Sequence, residues 1–143
     1  MTNEAPRLYP MMRYRDAPAA MAFLEEAFGF KRREVIANDD GTIAHAELTL
    51  GPSILMLGSD REDRLSGSRV GLGWMYVAVD DSDAHCDRAR DAGAEVVVEL
   101  HDTDYGSRDY AARDLESNLW YFGTYRPSAE SARAASGVGD QVS

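Results

Sequence analysis

At 143 residues, with 25 acidic against 15 basic side chains, the chain has the length of one domain and a formal net charge of −10. That sign is wrong for a phosphate-binding face, so nucleic acid is excluded as the expected partner. No apolar run approaches the roughly 18 residues of a membrane span, and the N-terminus lacks the apolar core of a signal peptide. The single cysteine, Cys86, allows no internal disulfide and no zinc cluster, which makes the cytoplasm the expected location.

In chain order, "RLYPMMRYRD" predicts a strand that ends in a turn, and "APAAMAFLEEAFGF" predicts a helix. Pro18 lies in its first turn, Met21, Phe23, Leu24, Ala27 and Phe28 supply its apolar positions, and Gly29 closes it. "KRREVIAN" and "TIAHAELTLG" are strands joined by the hairpin signal "DDG", and "PSILMLG" is a strand after the Gly51-Pro52 turn. "SDREDRLSGSR" is charged and rich in turn formers, the composition of a linker. The same order then repeats. "GLGWMYVAVD" is a strand with half-buried alternation, and "DSDAHCDRARDAG" is a helix with a Ser or Asp cap and Gly93 at its end. "AEVVVEL", "RDYAARD" and "LWYFGTY" complete the set as strands. The Ala/Ser/Gly-rich stretch after them has little to bury and is expected to be disordered.

Gly29 and Gly93 close equivalent helices 64 residues apart, and Asp16 and Asp80 end equivalent first strands at the same offset. The chain therefore reads as an α+β fold of two βαβββ modules, at about 6–58 and 70–126, with a linker over 59–69 and a tail over 127–143.

This repeat, together with "YGSRDYAARDLESNLWYFGTY", resembles the vicinal oxygen chelate superfamily of glyoxalase I, extradiol dioxygenases and bleomycin-resistance proteins. The closing segment is similar to the ending "R-D-P-x-G-N-x-W-x-F", with Leu115 in place of the proline and Ser117 in place of the glycine. The resemblance implies curved mixed sheets around a cavity. In metal-dependent members the first and last strands of each half give one His, Glu or Gln ligand apiece to a divalent ion. Carried over residue by residue, those positions fall on Tyr9, Met56, Trp74 and Tyr121, with the pairs 9/74 and 56/121 both 65 residues apart. None matches. Tryptophan offers only an N–H donor, and a thioether suits Cu(I) better than a hard ion that activates oxygen.

The expectation is therefore no metal and no cofactor. The same strand faces extend the lining to Met11, Arg13 and Tyr76, with Tyr110 from "DYAAR". Rings and methionine suit a flat or apolar ligand, and a tyrosine or tryptophan face also holds a cation. The resemblance to the drug-binding branch implies a small-molecule binding protein, associated with antibiotic resistance, that works as a homodimer with its ligand in grooves at the interface. A side-chain-filled core along the same stripe is the alternative to an open pocket. Two enzyme readings also stay open: a glyoxalase-like lyase, isomerase or dioxygenase with an unusual metal site, or a metal-independent enzyme using a tyrosine or His45 and Glu47. Arg108 and Arg113 are expected to pair with Asp109, Asp114 and Glu116.

Overall fold

The computed structural model describes residues 6–61 and 68–127. Most of the expected linker and all of the expected tail except Pro127 lie outside the described residues. The element order is β1 (Met11–Tyr14), α1 (Ala17–Phe28), β2 (Lys31–Ala37), β3 (Ile43–Leu50) and β4 (Ser53–Ser59), then β5 (Trp74–Ala78), α2 (Ser82–Asp91), β6 (Glu95–Asp102), β7 (Arg108–Arg113) and β8 (Leu119–Gly123).

Local chemistry sets both helices. Asp16 caps α1 by accepting from the Ala19 N–H at 3.1 Å, and Asp81 does the same for α2 from the Ala84 N–H at 3.1 Å. Gly29 ends α1 at a φ of 89°, a left-handed position that a side chain would strain. Seven of the residues of α1 are buried, including Met21, Leu24 and Phe28, whereas α2 buries only Ser82, Cys86 and Ala89. The second helix is thus the thinner lid of the two.

Each module forms its own four-stranded mixed sheet, in the orders β1-β4-β3-β2 and β5-β8-β7-β6. The edge strands β1 and β5 pair parallel with β4 and β8, and the other contacts are antiparallel. Met11 lies beside Met56 and Tyr76 beside Tyr121, so the two registers match at the 65-residue offset that the sequence predicts. In both sheets alternate residues face the helices: Met12, Tyr14, Leu55 and Leu57 in the first, Tyr110, Ala112, Trp120 and Phe122 in the second.

The modules join through their helix sides. Phe28, at the end of α1, meets Trp120 and Phe122 of the other module at ring-centroid distances of 5.4 and 4.8 Å, and Phe30 meets Trp120 edge-on at 5.7 Å. Such ring pairs add about 0.5–1.5 kcal/mol each beyond the area they bury. Arg88 of α2 donates to the Glu25 and Glu26 carbonyls at 3.0 and 2.9 Å, satisfying the C-terminal end of α1.

The turn between β7 and β8 is the other clamp. The Asp114 carboxylate, 7% exposed, accepts from Tyr14 Oη at 2.6 Å, Trp120 Nε1 at 3.0 Å, the backbone N–H groups of Glu116 and Asn118, and Asn118 Nδ2. Glu116 accepts from the backbone N–H groups of Arg15 and Asp16 at 2.6 and 2.8 Å. Arg108 and Arg113 therefore do not take the partners expected of them. Arg108 pairs with Asp83 and Asp102, and Arg113 donates to the Ser117 carbonyl, because backbone and hydroxyl donors already hold Asp109, Asp114 and Glu116.

Candidate functional site

With the helix sides turned toward one another, the outer faces of both sheets point away from the common core. On the second sheet the outward residues are Trp74 and Tyr76 of β5, Tyr121 of β8 and Asp109 of β7. With Met75 and Tyr105 they line a depression of about 460 Å³. Trp74 is 77% exposed and Tyr76 42%, a large apolar area for a surface without a bound partner.

The floor of this depression is polar and closely built. Asp109 is 7% exposed, and its Oδ1 accepts from Ser107 Oγ at 2.5 Å. Ser107 Oγ in turn accepts from the Tyr125 N–H at 3.0 Å, which fixes its own proton on Asp109. Oδ2 meets only the Tyr105 hydroxyl, at 3.4 Å. A Cβ at Gly123 would lie 2.9 Å from Tyr76 Oη and closer still to Asp109 Oδ1, so glycine at that strand position is what admits the carboxylate. Tyr76 Oη donates to the Tyr125 carbonyl at 2.5 Å. Loss of hydration, together with the Asp109 charge, pushes the Tyr76 and Tyr105 phenols above their ordinary range, so both stay protonated.

Of the residues expected to line a cavity, three are thus brought together: Trp74, Tyr76 and Tyr121. Tyr9, Met11, Arg13 and Met56 belong to the other module. Met11 and Met56 are neighbours on its outer face, and the Arg13 guanidinium lies over Gly58 and donates to the Ser59 carbonyl at 3.5 Å. Tyr9 precedes β1 and donates to the Pro6 carbonyl at 2.6 Å. On that face His45 Nε2 lies 3.0 Å from Glu47, which Arg33 also pairs. The His45 hydrogen bond is the first cause holding the Glu47 carboxyl below its usual range.

Tyr110 is a correction. It is fully buried on the helix side of β7, with its hydroxyl 2.6 Å from His85 Nδ1. The antiparallel register puts Ala111 opposite Tyr121, so the odd-numbered residues of β7 share the face of Tyr121 and Tyr110 cannot. The residue that does reach the site is its neighbour, Asp109. Sequence reasoning missed Asp109 as a site residue, whereas Tyr105 comes from the 105–108 stretch, whose place before the penultimate strand is legible as a lid or mouth. His85 Nε2 is 3.3 Å from the Phe28 carbonyl, a geometry that makes Nε2–H the donor and leaves Nδ1 to accept from Tyr110.

Among the described residues no three His, Cys, Asp or Glu side chains converge as a metal site. Tyr9, Met56, Trp74 and Tyr121, which the resemblance equates with chelating positions, offer two phenols, a thioether and an indole, a donor set that does not fit a hard divalent ion, and they are divided between the two modules. A second groove, of about 740 Å³, runs between the modules and is lined by Pro6, Leu8, Phe30, Leu55, Met75 and Trp120 among others. It is larger, and the polar side chains Asp80 and Arg126 on its wall pair with each other at 3.3 Å in the open, so it has no buried polar anchor like Asp109.

Two βαβββ modules, each with its own four-stranded sheet and one helix, and a ring-lined face on the second, define a paired-module protein of the glyoxalase type. The chain belongs to the Glyoxalase/Bleomycin resistance protein/Dioxygenase superfamily, whose pattern it matches over residues 8–122. Among solved structures it is similar to TioX from Micromonospora sp. ML1, with 32% identity and a TM-score of 0.75 over 85% of this chain and 100% of that one. A glyoxalase/bleomycin resistance protein/dioxygenase family enzyme from Burkholderia phytofirmans PsJN shares the fold at 22% identity and a TM-score of 0.65, over 80% of this chain and 94% of that one. An uncharacterised protein of Mycobacterium bovis is 30% identical over 128 residues, which cover 85% of this chain and 84% of that one. No helix among the described residues is long and apolar enough to cross a membrane.

Proposed function

We propose that this protein binds a flat apolar or aromatic small molecule without a metal, on the outer face of its second sheet, as a sequestering rather than a transforming protein. The observation that carries this reading is the convergence of Trp74, Tyr76, Tyr105 and Tyr121 around one open depression. Rings of this kind contribute stacking area at low entropic cost, and their hydroxyls orient a bound molecule. The metal-free part is supported by the chemistry of Tyr9, Met56, Trp74 and Tyr121. The proposed location is the cytoplasm, supported by the single cysteine, Cys86, which is buried and has no second thiol to pair with. An antibiotic or similar natural product is the kind of ligand this surface would take, and resistance the role it would serve.

A homodimer belongs to the same reading. Met11 is 69% exposed on one sheet and Trp74 77% on the other, and the two faces turn away from each other. A second copy that lays its first sheet over this second sheet would close the depression with Tyr9, Met11 and Met56. Sedimentation equilibrium at micromolar concentration should give twice the chain mass; a monomer at all concentrations removes this part.

Tryptophan fluorescence tests the site itself. A panel of neutral polycyclic aromatics, acridine among them, should quench wild-type emission saturably and leave the emission of Trp74→Ala, which comes from buried Trp120, unchanged. Identical quenching curves for the two proteins would refute the assignment. Stoichiometric divalent metal in protein purified without chelator would refute the metal-free part.

A further inference from the structure

The two buried aspartates of the second module are equally hidden and very differently served. Asp114 and Asp109 are each 7% exposed. Asp114 accepts from Tyr14, Trp120, Glu116 and Asn118, the last through both backbone and side chain, and is fully occupied by the fold. Asp109 has one firm donor, Ser107 Oγ, and one contact at the limit of a hydrogen bond, Tyr105 Oη at 3.4 Å. Among the described residues no arginine, lysine or histidine pairs with it. An ionised carboxylate has room for about four hydrogen bonds, and burying one without compensation is costly. The fold nevertheless makes space for it by keeping glycine at position 123.

From this contrast we propose that Asp109 is the anchor for a cationic nitrogen on the ligand, so that the molecule bound is an aromatic or apolar compound carrying a protonated amine. This inference depends on the ring-lined face being the binding site, as proposed above, and adds the charge class and the residue that reads it.

The geometry is suited to that task. Oδ2 is the oxygen left short of donors, and its one weak partner belongs to Tyr105, which is 57% exposed and packs edge-on against the Tyr125 ring at 5.8 Å. A charged N–H donor that displaces the Tyr105 hydroxyl makes a charge-assisted bond in its place. Tyr76, Tyr121 and Trp74 then face the ammonium with their ring quadrupoles, which attract cations. Because Tyr76 and Tyr105 stay protonated, Asp109 supplies the only negative charge among the lining side chains. The net charge of −10 adds long-range attraction for a cation.

The test uses three probes of one ring system at neutral pH: 9-aminoacridine, which is cationic, acridine, which is neutral, and acridine-9-carboxylate, which is anionic. Their Kd values are measured by isothermal titration calorimetry on the full chain and on Asp109→Asn. Asparagine keeps the shape and the acceptor for Ser107 but not the charge, and melting curves confirm that the variant is folded. Wild type should bind the cation about tenfold or more tightly than the neutral probe, and the anion weakest. Asp109→Asn should lose that preference while binding acridine as wild type does. Equal affinity for cation and neutral probe in wild type, a preference that survives Asp109→Asn, or no binding of the cation at all would overturn the proposal. If the charge preference is absent but acridine still binds in a Trp74-dependent way, the charge assignment fails and the ring-lined site stands. If no probe depends on Trp74, the site itself fails.

Discussion

Replacing Asp114 by alanine removes the acceptor on which the two modules meet. Three side-chain donors then lose their partner: Tyr14 Oη, Trp120 Nε1 and Asn118 Nδ2, on residues no more than 1% exposed. A buried donor left unsatisfied costs about 1–3 kcal/mol, and partial relaxation with water entry brings the total to roughly 3–5 kcal/mol. That is a large share of the ~5–15 kcal/mol that typically holds a domain together. For a chain of this length it corresponds to a fall in Tm of about 10–20 °C by circular dichroism. Tyr14→Phe removes one donor and leaves the carboxylate its others, so it should cost only about 1–2 kcal/mol. Because both changes act on one hydrogen bond, the double variant should be scarcely less stable than Asp114→Ala alone. A loss under about 1 kcal/mol for Asp114→Ala, or strict additivity in the double variant, would refute the claim that this carboxylate ties β1 to the β7–β8 turn.

Three other outcomes follow from single residues. Burial lowers the pKa of His85 from its ordinary 6.5, with nearby Arg88 contributing, so the unfolded chain takes up the proton first and this share of stability is present above about pH 6.5 and lost as pH falls through the folded value. Urea titrations from pH 7.5 to 5 should show a steeper loss for wild type than for His85→Gln; parallel slopes would contradict the burial argument. Ser117 sits at a φ of 74°, a left-handed conformation that favours glycine, so Ser117→Gly should raise stability by about 0.5–1 kcal/mol, and an unchanged or lower Tm would count against strain at that turn. Gly123→Ala forces its Cβ against Asp109 and Tyr76, and should cost about 1–3 kcal/mol and abolish any preference for cationic probes. A stable variant that binds like wild type would show that the carboxylate does not need that space.

Much of the fold was legible because it is written twice. Helix-closing glycines, strand-ending aspartates and a constant offset fix two copies of one module, and period-two alternation puts Trp74, Tyr76 and Tyr121 on one face while Trp120 and Phe122 go under the helices. The failures are local and have physical causes. The strand "DYAAR" offers Tyr110 as its ring for the site, but one residue of phase in a strand reverses its face, and the register to β8 selects Asp109. Gly123 was a readable signal for that choice, since a glycine inside a strand marks a close approach. Tyr105 lies in a turn whose side-chain direction no periodicity predicts. The sequence also does not say which faces meet: a lining drawn from both modules assumes one shared cavity, whereas contacts of Phe28, Arg88 and Tyr14 turn the modules helix side to helix side.

The central claim, that ligand binds the outer ring-lined face, is tested most directly by the two indole N–H signals of the 15N-labelled protein, one for each tryptophan. Trp74 is open on that face, whereas Trp120 is 1% exposed, bonded to Asp114, and walls the groove between the modules. On titration with acridine the Trp74 signal should shift and saturate while the Trp120 signal stays in place. Movement of the Trp120 signal with a stationary Trp74 signal would contradict the account and put binding in the groove instead.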